Sequence, residues 1–312
     1  MVHLYVNRNP LERANRLRAY IAGQDMLRGQ MTAFRDMTGV DPMDAIIAGS
    51  VAMSAVSHLD APEGGGGHYA SFDKAPPPGL LKSITVSALA RSLGLPRETV
   101  RRRAAGLAAA GWLEQSSRGL TSVPAFMDAT GHQKFLEQVN QAGVALLRGL
   151  GYPERRPGAD DGVWVDVAAI RARDRLFSRL CLQFALRLYE AAARLTGDLE
   201  RSLVLITVIS MTLDPGGQAM SDSPRIKASV SRRALAAELD IHPETLRRLL
   251  IRLERDGLLT RAADGFRPSA ALLTGEALAW SIEQTAIQIR NFVRILARAG
   301  FVAEPNPDAG VA

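Results

Sequence analysis

The feature that most constrains this chain is a stretch that occurs twice. Residues 84–120 lie on residues 230–266 without a gap. Thr85 meets Ser231, Leu89-Ala90 meets Leu235-Ala236, and Leu93 meets Leu239. Glu98-Thr99 and Arg101-Arg102 meet Glu244-Thr245 and Arg247-Arg248. Leu107, Gly111, Leu113 and Gly119 meet Leu253, Gly257, Leu259 and Gly265. Roughly a third of the positions are identical, and most other core positions are apolar in both copies. The register continues downstream, where Glu137-Gln138 falls on Glu283-Gln284 and Arg148 on Arg294. Upstream, Phe34–Gly39 resembles Ala193–Gly197, each ending in Thr-Gly, and His58-Leu59-Asp60 resembles Thr212-Leu213-Asp214, with a gap of about four residues between them.

Each copy then spells out the same local structure. Thr85 and Ser231 are N-cap residues for a short helix that turns Leu89 and Leu93, or Leu235 and Leu239, inward. Gly94 and Asp240 suit a left-handed turn residue, and Leu95 and Ile241 plug the angle that follows. A second helix starts near Arg97 or at Pro243, a residue favoured at a first helical position. Val100 and Leu107, or Leu246, Leu249, Leu250 and Leu253, face inward on it. Arg97, Glu98, Arg101, Arg102 and Ala105 face out in one copy; Glu244, Thr245, Arg247, Arg248 and Arg252 face out in the other. Gly111 and Gly257 end these helices, and two short strands with tight turns follow. Arg103 is an irregularity, because it stands where the other copy has Leu249.

The surroundings of the repeat are helical. Leu17, Ile21, Leu27, Met31 and Phe34 form the apolar stripe of a first long helix that begins at Asn9-Pro10. Leu176, Leu180, Phe184, Leu188 and Leu195 form its counterpart. More apolar helices are expected near 42–59 and 198–213, and long closing helices near 126–150 and 272–298. Residues 61–82, with glycines at 64–67 and prolines at 76–78, read as a flexible loop without the Lys-Ser/Thr of a phosphate-binding loop. Residues 153–163 read as a linker, and the tail from Glu304 as frayed.

Composition narrows the function classes. The 312 residues suffice for two ordinary domains, and the formal net charge of +6 fits a polyanionic partner. The cations are almost all Arg, with Lys only at Lys74, Lys82, Lys134 and Lys227. One cysteine, Cys181, excludes an internal disulfide or thiolate metal site. The five histidines lack metal spacing, and no hydrolase, zinc-protease or dinucleotide motif occurs, so a non-enzyme without cofactor or metal is expected. The N-terminus has no hydrophobic signal core, and the longest apolar runs, 45–56 and 203–213, are too short to span a bilayer. A cytoplasmic, nucleoid-associated protein with no membrane partner is the corresponding expectation.

The stretch ITVSALARSLGLPRETVRRRAAGLAAAGWL resembles the helix-turn-helix of the cyclic-AMP receptor/FNR family. That family reads guanine and cytosine with an R-E-T-V-x-R recognition helix. The resemblance implies that Arg97, Glu98 and Arg102 read bases and that Thr99 touches phosphate. The second copy, HPETLRRLL, keeps Glu244, Thr245 and Arg248 but has Pro243 in place of Arg97. No cyclic-nucleotide β-roll is legible. The layout of each half is similar to the MarR group, whose terminal helices form a dimer.

The fold class expected is mainly α with small β-wings: two winged helix-turn-helix domains arranged as an internal pseudo-dimer. Half 1 covers 1–155, with its helix-turn-helix at about 85–109 and wing at about 112–123. Half 2 covers 156–312, with the same parts at about 231–255 and 258–269. The expected partner is double-stranded DNA, bound sequence-specifically by a transcription regulator. Its two non-identical recognition helices would enter successive major grooves about 34 Å apart. Base reading falls to Arg97, Glu98, Arg101, Arg102, Glu244, Arg247 and Arg248. Phosphate contacts fall to Thr85, Thr99, Arg118, Ser231, Thr245, Arg252, Arg261 and Arg267. A contact with RNA polymerase would fit this role. The alternatives are a plasmid- or phage-type replication initiator with tandem winged helices and a non-DNA winged-helix adaptor. Target sequence, effector and oligomeric state stay open.

Overall fold

The computed structural model describes residues 10–60, 67–123, 130–156, 162–213, 226 and 228–303. Asn9, the glycines at 64–66, Asp160-Asp161 and the tail from Glu304 lie outside these residues. A long helix α1 (Pro10–Thr38) is followed by α2 (Pro42–Val56). The start of α2 is set by Asp41, whose carboxylate accepts the Met43 and Asp44 N–H groups at 2.9 and 3.0 Å, with Pro42 in the first turn. A 3-10 turn at Ser57–Leu59 replaces the last part of the helix expected to reach 59.

The repeated segment folds twice into the same parts. In the first copy, α3 (Val86–Leu93) is capped by Thr85, whose Oγ1 accepts the Ala88 N–H at 3.2 Å. It ends at Gly94 in the left-handed region (φ 64°), and α4 (Arg97–Ala109) follows. Gly111 (φ 79°) closes α4, where the Trp112 N–H donates to the Leu107 carbonyl at 2.9 Å. The strands β1 (Leu113–Ser116) and β2 (Gly119–Ser122) then pair antiparallel.

Later in the chain come α5 (Thr130–Gly149), β3 (Trp164–Val165), α6 (Val167–Ala172), α7 (Asp174–Thr196) and α8 (Leu199–Thr212). The second copy then gives α9 (Arg232–Leu239), capped by Ser231, and a left-handed Asp240 (φ 50°). Next are α10 (Pro243–Arg255), Gly257 (φ 71°), and the hairpin β4 (Leu259–Ala262) with β5 (Gly265–Pro268). Each hairpin is tied back to the residue before its helix pair, Ile84 to Leu120 and Val230 to Phe266, by N–H···O bonds of 2.8–2.9 Å. A Cβ on Gly119 would stand 2.5 Å from the Ile84 carbonyl oxygen, so only glycine permits this approach.

The closing region is α11 (Ala270–Thr274), α12 (Glu276–Arg298) and β6 (Val302–Ala303). The expected single helix over 272–298 is thus broken at Gly275, where Ser269 caps the short α11 by accepting the Leu272 N–H. The first closing helix is described only from Thr130, so residues 124–129 are left aside.

Packing does not follow the expected division near residue 155. One apolar cluster joins Leu89, Val100, Leu107 and Leu120 to α2 and also to Leu180, Cys181 and Phe184 of α7. The other joins Leu235, Leu246, Leu250 and Leu253 to α8 and also to Tyr20 and Ile21 of α1. Each helix pair therefore takes part of its core from a long helix of the other half. The helices α1, α5, α7 and α12 pack along one another. Burial pushes the Tyr20 hydroxyl up to about 12 and raises the Cys181 thiol as well.

Two segments expected to be loose are pinned. The buried Arg175 donates from Nε and Nη2 to the Phe72 carbonyl at 3.1 and 2.9 Å. Arg179 donates to the Tyr69 carbonyl at 2.9 Å and pairs with Asp60 at 2.6 Å. The described part of the 61–82 loop is therefore clamped onto α7 by carbonyl-to-guanidinium bonds. In the 153–163 linker, the Val165 N–H donates to Pro153 and the Arg155 N–H donates to Val165, both at 2.8 Å. Strand β3 also pairs with β6, stitching this junction to the end of α12. Neither that small sheet nor α6 was expected.

Candidate nucleic-acid interface

The outer face of α4 is set by what its inner face buries. Val100, Ala104 and Leu107 are buried, so a period of 3.6 residues leaves Arg97, Glu98, Arg101 and Arg102 exposed. In α10, Leu246, Leu249, Leu250 and Leu253 are buried, and Thr245, Arg247, Arg248 and Arg252 are exposed, with Glu244 half-exposed. Thr99 is partly covered.

Both faces carry the same ion pair. Arg101 donates to the Glu98 carboxylate from Nε at 2.8 Å and also from Nη2. Arg247 donates to both Glu244 oxygens at 2.7 and 2.8 Å, and Arg248 adds a bond at 3.1 Å. Arg101 holds the Glu98 carboxyl below its usual range, and Arg247 with Arg248 holds Glu244 at about 2. Glu98 and Glu244 therefore orient neighbouring guanidinium groups in the unbound chain, a role different from the base reading expected of them. Arg97 and Arg102 make no ion pair among the described residues, which leaves their guanidinium groups open to an incoming anion.

Around this face sit the residues expected at phosphates. Thr85 and Ser231 are exposed, but their hydroxyl oxygens already accept helix N–H groups. Each hydroxyl proton stays available for donation. Arg118 stands at the exposed tip of the first hairpin and Arg267 on the exposed side of β5. Arg261 leans over the Phe266 ring, 5.4 Å from its centroid, and reaches Glu254 at 3.4 Å.

Two residues escaped the sequence reading, and a third, already irregular there, is placed by the structure. Ile251 is 43% exposed on the outer face of α10, one turn beyond Arg247 and Arg248. Its helical spacing was the available signal. Arg255 is exposed one turn further on. Arg103, the irregular position, neither packs as its counterpart Leu249 does nor reaches solvent freely. Its Nη1 meets Asp41 at 2.8 Å and Asp44 at 2.9 Å, and its Nη2 meets Glu200 at 3.3 Å.

The two helix pairs are held differently from behind. Arg28 on α1 meets Ser210 at 3.0 Å and Glu238 at 3.2 Å, while Arg35 donates to the Ala237 and Glu238 carbonyls at the end of α9. Aligning Thr38-Gly39 with Thr196-Gly197 puts Leu186 and Ala193 at the matching places on α7, and Ser92 stands for Glu238. Behind α3 there is instead a cleft of about 910 Å³, lined by residues that include Met53, Leu93, Phe184, Phe292 and Arg294.

Among the described residues, no group of three or more His, Cys, Asp or Glu could hold a metal ion, and no single helix is long and apolar enough to cross a membrane. Comparison with curated proteins finds no match, and comparison with solved structures finds none. Residues 72–117 match the IclR helix-turn-helix domain. The matched span runs through α3, α4 and β1, and it supports a DNA-binding transcription regulator built on a helix-turn-helix.

Proposed function

We propose that the chain is a transcription regulator that reads double-stranded DNA with two unlike recognition helices, α4 and α10, presented by one molecule. The observation that carries this reading is the matched pair of exposed arginine faces, each behind a capped helix, a left-handed turn and a hairpin tied to Ile84 or Val230. In this reading the two repeats are winged helix-turn-helix units of a duplicated chain. The long helices exchanged between their cores act as a dimer interface does in a two-chain regulator.

Arg97 and Arg102, with Arg101, read guanine from α4; Arg247 and Arg248 do so from α10. Ile251 suits a thymine methyl group. Glu98 and Glu244 accept from cytosine or keep the arginines aligned. Thr85, Thr99, Arg118, Ser231, Thr245, Arg252, Arg261 and Arg267 hold the phosphates on either side. Pro243 in place of Arg97 makes the two half-sites unequal.

The test is selection of bound sequences from a random duplex library by the whole purified chain, followed by a salt titration. An unequal pair of half-sites and a steep loss of affinity with salt are expected. Absence of any selected sequence, with no salt slope, would favour the protein-adaptor reading and overturn this one.

A further inference from the structure

The first turn of α8 touches both candidate recognition helices. Glu200 accepts from Arg103 of α4 at 3.3 Å. The next residue, Arg201, pairs with Asp256, the C-cap of α10. Asp198 caps the same turn by accepting the Glu200 and Arg201 N–H groups at 2.8 and 3.4 Å. The Arg201 guanidinium also donates to the Thr196 carbonyl, so it is braced before it reaches Asp256. Two adjacent residues on one capped turn thus grip one helix each.

Neither grip is a residue of the duplication. Arg103 corresponds to Leu249, and Asp256 corresponds to Ala110. A second copy of either contact is therefore impossible, and both converge on α8 alone. Arg103 is also the point where two helix starts meet, because Asp41 and Asp44 belong to the first turn of α2 and Glu200 to that of α8. Acidic groups favour such positions, and one guanidinium with a forked donor set can satisfy several of them.

The supports of the two helices differ. Helix α10 also packs its leucines on Val204, Leu205 and Val208 of α8. Helix α4 packs on α2 and α3, and Arg103–Glu200 is the one ion pair joining it to α8 among the described residues.

We infer that the first turn of α8 is a spacer: through Arg103–Glu200 and Arg201–Asp256 it sets the separation of α4 and α10, and so the half-site spacing that the chain accepts. This rests on the two-helix DNA reading above. The residues concerned are positioning residues and touch no base.

The experiment compares the whole chain with Glu200→Gln and Asp256→Asn, both near-isosteric and at partly exposed positions. Spin labels at Ala105→Cys and Ile251→Cys report the distance between α4 and α10 without DNA; Cys181 is buried and stays unlabelled. Duplexes carrying the selected half-sites at spacings varied one base pair at a time report the spacing preference. The unmodified spacer should favour one spacing over its neighbours by about tenfold. Glu200→Gln should broaden the distance distribution and bring neighbouring spacings to within about threefold, while affinity for a single half-site holds. Asp256→Asn should act in the same direction. An unchanged distance distribution overturns the spacer role, as does a broadened one with the spacing preference intact. A wild-type chain that binds no sequence selectively overturns the DNA reading itself, and the spacing inference falls with it. A wild-type chain that binds half-sites but ignores their spacing overturns the inference alone.

Discussion

Gly143 on α5 lies against Cys181 on α7, so closely that a Cβ there would stand 2.6 Å from the sulfur and 2.9 Å from Cε1 of Phe177. Alanine normally strengthens a helix by about 1 kcal/mol over glycine. Here overpacking should reverse the sign, and Gly143→Ala should lower stability by about 1–3 kcal/mol in denaturant titrations. Because Cys181 is buried, its labelling by a thiol reagent should accelerate in the same variant. A stabilised variant with unchanged labelling would refute the contact.

The Arg35 bond to the end of α9 gives a second expectation. With Arg28 and Arg35 in place, α9 is latched to α1, whereas α3 backs onto a cleft. Amide hydrogen exchange should therefore be slower in α9 than in α3. Arg35→Ala should bring the two closer by speeding α9 alone. Equal protection in the wild-type chain would contradict this.

His132 supplies a pH dependence. It is buried beside Phe72 and Phe135, and Arg175 Nη1 lies 3.3 Å from its Nε2. Burial first, and the Arg175 charge second, lower its pKa from 6.5 to about 3. Below pH 6.5 the unfolded chain takes a proton that the folded chain refuses. Stability from this residue is thus complete above pH 6.5 and declines as the pH falls toward 3. By pH 5 the loss should be about 2 kcal/mol. His132→Gln should flatten that slope between pH 7 and 5, as read by thermal melts; an unchanged slope would assign it to other groups.

The two arginine faces give the fourth. Arg97→Ala or Arg102→Ala should cost about 1–3 kcal/mol of DNA affinity and relax only one half-site. Arg248→Ala should relax the other. Arg118→Ala or Arg267→Ala should weaken all sequences alike and make the salt slope shallower. Uniform weakening by Arg97→Ala would remove it from base reading.

What could be read in advance was local. The caps Thr85 and Ser231, the left-handed Gly94 and Asp240, and the terminators Gly111 and Gly257 are each decided within a few residues of chain. The repeat showed each of them twice. The outward arginines followed from helical spacing for the same reason. The exchange of α1 and α7 between cores was not legible, because Tyr20 or Leu180 is equally apolar whichever half covers it. Arg175 and Arg179 look like solvated charges in a helix pattern, and Arg103 like a misfit at an inward position. Their burial depends on carbonyls and carboxylates brought from elsewhere, Phe72, Tyr69 and Glu200 among them. The break at Gly275 and the pairing of Val165 with Val302 likewise depend on distant partners. The pairing of Glu98 with Arg101 lay within reach of spacing alone, but base reading was the competing assignment.

The placement of Tyr20 and Ile21 has a consequence for how the molecule is made. Helix α1 is made before α8 and α12, which pack against it in the cluster around Tyr20 and Ile21, and α12 emerges on the order of tens of seconds after it. Met26, Leu27 and Phe34 find partners on α2 and α5 earlier, but Tyr20 and Ile21 must be shielded until then, and a nascent chain halted near its middle should be a ready client for chaperones.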